Sequence, residues 1–481
     1  MSLRVKAIEL RKVPISTRMP FRFGITTLTK VDYLLVFADF EIDGAQVRGI
    51  AADVLAPKWF TKNPEIDISI EHAEMLSVIS TARRIALEIA EQPTTFRWWK
   101  ELYERVMNCP DLTRLPPLLK GFGVSLLERA AIDAFCRHAK SPFHKAVRSN
   151  SLGIQLGEIH TELLSTNPSE YLPEKPAARM AIRHTIGLSD PIHDEDVLEN
   201  ERLDDGLPQS LETCMQWYNI RYLKIKLPDS FDEAVERLLS IAALVERSSL
   251  DCKFTLDGNE CFKSAAAFRN TWEALELNSQ LSRFLADRLI AVEQPLHRDT
   301  ALSNDTFETF RNWSSLPRII IDESDGELGS LRRALEVGYV GTSHKNCKGV
   351  FKGIANACLT RYLNQRSTSE QCICTGEDLM NLGPVALLQD LAVGATLGFQ
   401  HMERNGHHFV AGLSPFHKIV QNQCLEAHGD LYRVFETTSY QYPSLAIERG
   451  EISLVSVNRA PFGYAIDLDA QLFELVDNFQ R

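Results

Sequence analysis

The sequence predicts an α/β chain in which a β/α barrel follows a smaller α+β domain. Three observations carry that prediction. From about residue 178 onward, short apolar strands alternate with amphipathic helices. The strands recur at a spacing of roughly 30 residues, which suits eight βα units in about 250 residues. Segments rich in β-forming residues flank this region on both sides. Alternating strand and helix implies a parallel sheet with crossover helices, and the repeat favours a closed barrel over a doubly wound sheet.

The first 60 residues read as strands joined by turns. Val31 to Ile42 (VDYLLVFADFEI) is β-rich, Asp43-Gly44 supplies a hairpin turn, and Gln46 to Ala51 returns. From Ile68 to Val147 apolar residues fall at three- and four-residue intervals, the period of helices packed on one face. This gives an α+β domain over residues 1–147. Residues 148–176 mix Asn, Ser, Pro and Glu with isolated apolar residues and read as a linker or insertion. The barrel is expected over 177–440, with strands in ARMAIRHTIGL, YLKIKL, KFTLDGNE, LIAVEQPL, RIIIDES and YVGTSHK. Residues 441–481 form a β-rich tail.

Three successive predicted strands end in acids: Asp257 in FTLDGNE, Glu293 in AVEQPL and Asp322 in IIIDES. Strand C-termini of a parallel barrel converge on the mouth where active sites lie. Three carboxylates brought together there repel one another unless a cation sits between them. An all-oxygen set with open positions suits Mg²⁺. One acidic strand end merely caps the next helix; three in consecutive units favour the metal. The preceding strand ends Lys224-Ile225-Lys226, and residues two apart on a strand share a face, so both ammonium groups are expected to point inward. Crowded, buried cations depress one another's pKa, which equips a lysine to act as a base near neutrality. One strand after Asp322 comes His344-Lys345-Asn346, and Glu323 is the expected ion-pair partner of Lys345.

Composition narrows the classes. With 44% hydrophobic and 24% charged residues, the chain is an ordinary globular sequence. A net charge of -12 argues against a nucleic-acid or anionic-membrane surface. No stretch approaches the roughly 20 apolar residues that span a bilayer. The N-terminal residues show no signal-peptide pattern. The ten scattered cysteines fit reduced, buried side chains, so a cytoplasmic location is expected.

Together these residues resemble the enolase superfamily, and within it the muconate-lactonizing-enzyme subgroup of the mandelate racemase/muconate lactonizing enzyme family. That subgroup shows a KxK strand, an Asp, a Glu in an E-Q-P context, an Asp in a D-E-S context and a lysine one strand later. The matching positions are Lys224, Lys226, Asp257, Glu293, Asp322 and Lys345. SLLERAAIDAFCRHAKSPFHKAV, RHTIGL and ERGEISLVSVNRAPFGYAID extend the likeness over most of the chain. The resemblance implies a (β/α)7β-type modified TIM barrel whose N-terminal capping domain is completed by the C-terminal segment. It implies a Mg²⁺ enzyme that abstracts the proton alpha to a small carboxylate substrate through an enediolate, as a racemase, epimerase, cycloisomerase or syn-dehydratase. Lys226 and Lys345 would serve opposite faces, with Lys224 neutralising the carboxylate. Two cap segments, Arg18 to Gly24 and Ala51 to Phe60, would contact the remote part of the substrate. Phe21, Phe23 and Trp59 are candidate apolar walls there, and Arg22 a partner for a distal acid. A homo-oligomer is expected by the same likeness.

The sequence also departs from the pattern. The unit between Asp257 and Glu293 is longer than the one before it, and SHKNCKGVFKG lacks the Gly-Gly pair that normally follows the family lysine. His344 and Lys348 therefore stand beside Lys345 for the inward position. CICTGEDLMNLG offers Glu377 and Asp378 but no histidine, which disfavours the His-Asp dyad of the mandelate-racemase branch. FQHMERNGHHF replaces the dipeptide epimerases' Asp-x-Asp with His401, Glu403, Arg404, Asn405, His407 and His408. That cluster reads as a specificity wall including Glu403, with zinc binding as the lesser alternative. A barrel kept for binding without turnover is the contrasting functional reading, and a zinc hydrolase a third.

Overall fold

The computed structural model describes residues 1–23, 25–228, 230–368 and 371–476; the side chain of Phe23 lies outside that description. The N-terminal sheet is antiparallel, formed by β1 (Leu3–Phe23), β2 (Thr26–Ile42) and β3 (Ala45–Val54). The Asp43-Gly44 turn takes positive φ at both residues, joining β2 to β3 as the sequence leads one to expect. Three helices cover the sheet: α1 (Ile68–Glu88), α2 (Thr95–Met107) and α3 (Pro117–His138). Asp67 caps α1 and Thr94 caps α2 through side-chain acceptors. Sheet and helix meet closely at Gly49, where a Cβ would lie 1.9 Å from the Ala130 carbonyl oxygen.

The barrel strands are β4 (Arg179–Ile186), β5 (Tyr222–Lys226), β6 (Lys253–Asp257), β7 (Leu289–Glu293), β8 (Ile319–Ile321), β9 (Gly341–His344), β10 (Ile373–Gly376) and β11 (His401–Glu403). They pair in sequence order, all parallel, and β11 closes on β4. Each crossover carries at least one helix. The predicted β/α barrel is therefore the observed one, with the antiparallel domain set against it.

After β11 comes a hairpin of β12 (Tyr432–Glu436) and β13 (Gln441–Leu445), which runs across residue 440. Next, β14 (Glu451–Ser453) pairs antiparallel with β4 on the barrel. Finally β15 (Glu474–Leu475) adds to β1, so the tail extends the N-terminal sheet. Residues 148–176 form a run of 3₁₀ turns rather than a free linker. Leu152, Leu156 and Leu163 are buried, and His160 bonds Asn356 of a barrel helix at 2.8 Å.

Buried polar contacts fasten the two domains together. The Tyr33 hydroxyl accepts from the backbone N–H groups of Val385 and Ala386 at 3.2 and 3.0 Å. The Glu128 carboxylate accepts from Val350 and Phe351 at 3.1 and 2.7 Å, and burial pushes its pKa up to about 7. These bonds hold the cap over the C-terminal ends of the barrel strands.

Candidate active site

Parallel register brings the chemistry to one level. Lys226 pairs with Asp257 and Asp257 with Glu293 across β5, β6 and β7, while Asp322 follows the last residue of β8. All four side chains are buried. A cavity enclosing about 460 Å³ is lined by Lys224, Lys226, Asp257, Asp322, Lys345 and Glu403, with Phe21 and Trp59 descending from the cap. Lys226 stands on β5 and Lys345 follows β9, four strands apart in an eight-stranded ring. The two ammonium groups thus enter from opposite sides of the barrel.

Lys224 is the hub of the ion pairs. Its Nζ lies 2.6 Å from Glu377, 2.9 Å from Glu293, 3.1 Å from Asp257 and 3.2 Å from Glu403. Lys226 donates to Asp257 at 3.0 Å and to the Asn259 side-chain oxygen at 2.6 Å. Lys345 donates to both Asp322 oxygens at 2.8 Å, lies 3.8 Å from Glu293, and sits over the Trp59 ring at 5.1 Å. Lys348 also reaches Asp322, at 2.6 Å, but spends its other bonds on the Ser343 and Asp322 backbone oxygens and the Ser343 hydroxyl, which makes it a strut.

The pKa pattern follows from this crowding. Burial pushes the Glu293 carboxyl up to about 7, Lys224 pulls it back, and Asp257 and Asp322 push it further. Burial also opposes charge on Asp322 and Glu403, yet the surrounding lysines outweigh it and hold both well below the usual carboxylate range. Lys224 and Lys345 are shifted upward: burial disfavours their charge, but the acids around them overcome it. The expectation that the crowded Lys224–Lys226 pair would have lowered pKa values is therefore corrected at Lys224, which faces more carboxylate than ammonium.

Alternation along strands decides several other assignments. Ser343 and Lys345 point inward, with the Ser343 hydroxyl donating to Asp322 at 2.5 Å. His344 points outward, its ring packed where a Cβ on Gly353 would stand 2.2 Å from it. Among His344, Lys345 and Lys348, Lys345 is the one that lines the cavity. The expected Glu323–Lys345 ion pair is replaced by the Asp322 pair. Glu323 turns to the other side, where burial and the Asp322, Glu260 and Asp257 charges push it up to about 8 and Arg298 opposes them. Arg22 likewise lies outside the cavity: Phe21 faces in, while Arg22 faces an outer cleft with Asp190 and Arg237. Glu403 does line the cavity, but its carboxylate is committed to Lys224, to Thr185 at 2.6 Å and to Asn405 at 2.9 Å.

The residues that sequence reasoning left out of the site are Glu377, Asn259, Arg183 and Ser343. Glu377 follows the strand-end rule that singled out the other acids, since it comes directly after β10. Arg183, fully buried on β4, pairs with it. No sequence signal marks Asn259 or Ser343 apart from their offset from Asp257 and Lys345.

The acids suit a hard divalent cation. Asp257, Glu293 and Asp322 offer only oxygen, and the buried Glu293 Oε2 has no hydrogen-bond partner.

No protein-family model and no curated protein sequence matches the chain. Solved structures do. The chain is similar to a mandelate racemase/muconate lactonizing protein from Herpetosiphon aurantiacus, at 14% identity and TM-score 0.58, with 97% of this chain and 99% of that one covered. It is similar to a dipeptide epimerase from Enterococcus faecalis complexed with Mg and L-Leu-L-Tyr, at 13% identity and TM-score 0.56, covering 85% and 92%. It is also similar to an N-succinyl Arg/Lys racemase from Bacillus cereus, at 13% identity and TM-score 0.56, covering 95% and 98%. The class that this architecture defines is the closed β/α barrel with an N-terminal capping domain. At such identities the likeness is one of fold, and the chemistry rests on the side chains described above.

Proposed function

We propose that this chain is a Mg²⁺-dependent enzyme of the enolase-superfamily type that moves a proton alpha to the carboxylate of a small substrate. The observation that carries the reading is the placement of Lys226 and Lys345 on opposite sides of a cavity lined by Asp257 and Asp322, with Glu293 at the end of the strand between them. Those three acids would hold Mg²⁺, which supplies positive charge to the substrate carboxylate and to the negative charge that develops as the proton leaves. Lys226 takes or returns the proton on one face and Lys345 on the other. Lys224, ringed by acids, supplies fixed positive charge toward the carboxylate. Phe21 and Trp59 close the cavity from the cap and exclude water from the reacting carbon. Two opposed proton carriers favour racemisation or epimerisation over reactions that need one face only.

The test is hydrogen exchange in D₂O across a library of carboxylates, including N-acyl amino acids and dipeptides, with Mg²⁺ present. Deuterium uptake at the alpha carbon is expected from at least one substrate. In Lys226→Gln, uptake should vanish on one face alone. Asp257→Asn should weaken Mg²⁺ binding in calorimetry by tenfold or more. Unchanged Mg²⁺ affinity in that variant defeats the metal assignment. Absence of uptake across the library would favour a barrel kept for binding, a reading to which the closed ring of ion pairs around Lys224 lends support.

A further inference from the structure

Away from the strand-end carboxylates, the barrel carries a second group of side chains with metal-ligating chemistry. His184 lies on β4, Cys214 on the helix Leu211–Tyr218, and His408 on the short turn Gly406–Phe409 that follows β11. Each offers one ligand atom within 4.8 Å of the other two, and among the described residues this is the one such group of His, Cys, Asp or Glu. The Cys214 Sγ lies 3.5 Å from His408 Nδ1. A tetrahedral zinc with Zn–S of about 2.3 Å and Zn–N of about 2.1 Å sets S and N about 3.6 Å apart. All three residues are at most 4% exposed: Cys214 0%, His408 2% and His184 3%.

A buried imidazole usually finds a hydrogen-bond partner, because an orphaned polar atom costs about 1–3 kcal/mol. Here the Nδ1 of His184 is buried and has none, and neither ring nitrogen of the adjacent His407 has one. The His184 ring packs 4.9 Å from His408 and 5.5 Å from His407, centre to centre. Orphaned nitrogens gathered around a thiol are poorly explained as packing, and a bound cation resolves them together. The buried His428 differs, with one ring nitrogen on the Ser456 hydroxyl and the other accepting from the Ala465 N–H.

We infer that His184, Cys214 and His408 form a buried zinc site. Binding transfers the Cys214 thiol proton to solvent, the imidazoles bind through neutral nitrogens, and no electrons move. The nearest fixed cation, Arg18, is already matched by Asp205 at 2.5 and 2.9 Å and donates to the His408 carbonyl at 2.6 Å. The ion would tie β4 to the segment after β11. Thr185 and Asn405, which hold Glu403 in the cavity, lie on those two segments. Its role is structural, and it stands independently of the Mg²⁺ reading.

The full chain, stripped with a chelator and dialysed, would be titrated with Zn²⁺ and separately with Co²⁺. One tight equivalent is expected, and the Co²⁺ form should show thiolate charge-transfer absorption. Cys214→Ala and His408→Gln should each weaken Zn²⁺ binding at least tenfold, while Asp257→Asn binds as the unmodified chain does. A Co²⁺ spectrum without a thiolate band overturns the proposal without recourse to any variant. So does Zn²⁺ binding that survives in both Cys214→Ala and His408→Gln.

Discussion

Replacing Lys224 with methionine separates two roles that the structure gives one ammonium group. The side chain is 3% exposed and reaches four carboxylates between 2.6 and 3.2 Å. Methionine keeps much of the length and removes the charge. Taking one partner from a buried ion pair costs about 3–5 kcal/mol, because the other partner is left buried and uncompensated. Glu377 keeps Arg183, Asp257 keeps Lys226, and Glu403 keeps Thr185 and Asn405. Glu293 keeps only Lys345 at 3.8 Å, so it bears most of the loss. A divalent cation that binds only the folded chain adds stability of RT ln(1 + [L]/Kd), about 2.7 kcal/mol at a hundredfold excess over Kd. In Lys224→Met that cation also replaces a missing charge. Mg²⁺ should therefore raise the variant's unfolding midpoint by more than it raises that of the unmodified chain. The assay is urea denaturation with and without Mg²⁺, read as midpoint shifts because a two-domain chain need not unfold in one step. Equal stability without Mg²⁺, or equal Mg²⁺ shifts in both proteins, would refute the reasoning.

Two further predictions concern buried charged groups of the cap. Arg129→Met should cost about 3–5 kcal/mol in urea midpoint terms, since the fully buried guanidinium donates to Asp53 at 2.7 Å and to the Ala52 carbonyl at 2.8 Å. The double variant Arg129→Met/Asp53→Leu should recover part of that loss, because it strands no charge. Glu128→Gln tests the buried carboxyl on α3. Its folded pKa, raised to about 7, exceeds the unfolded value, so the folded chain binds the extra proton and loses stability as pH rises from about 4.5 to 7. In Glu128→Gln that fall should be smaller by up to about 3 kcal/mol, measured as the difference between two denaturation series.

The barrel was legible in the sequence because its signals are local. Strand and helix periods, and acids placed at strand ends, depend on residues close along the chain. Asp257, Glu293 and Asp322 could be chosen that way, and so could Lys226 from its KxK spacing. Only the folded chain could decide between His344, Lys345 and Lys348, since a single residue of offset reverses the side of a strand. That same offset sends Glu323 and Arg22 away from the cavity. The direction of the lysine shifts also needed three dimensions. Lys224 is 153 residues from Glu377 and 179 from Glu403, and their charges, brought within 3.2 Å by barrel closure, outweigh the cation two positions along its own strand. The same closure gathers His184, Cys214 and His408, which no spacing rule connects. The sequence by itself determined which strands carry the acids and lysines. The tertiary structure decided which side each faces and what charge surrounds it, because electrostatics acts through space and not along the chain.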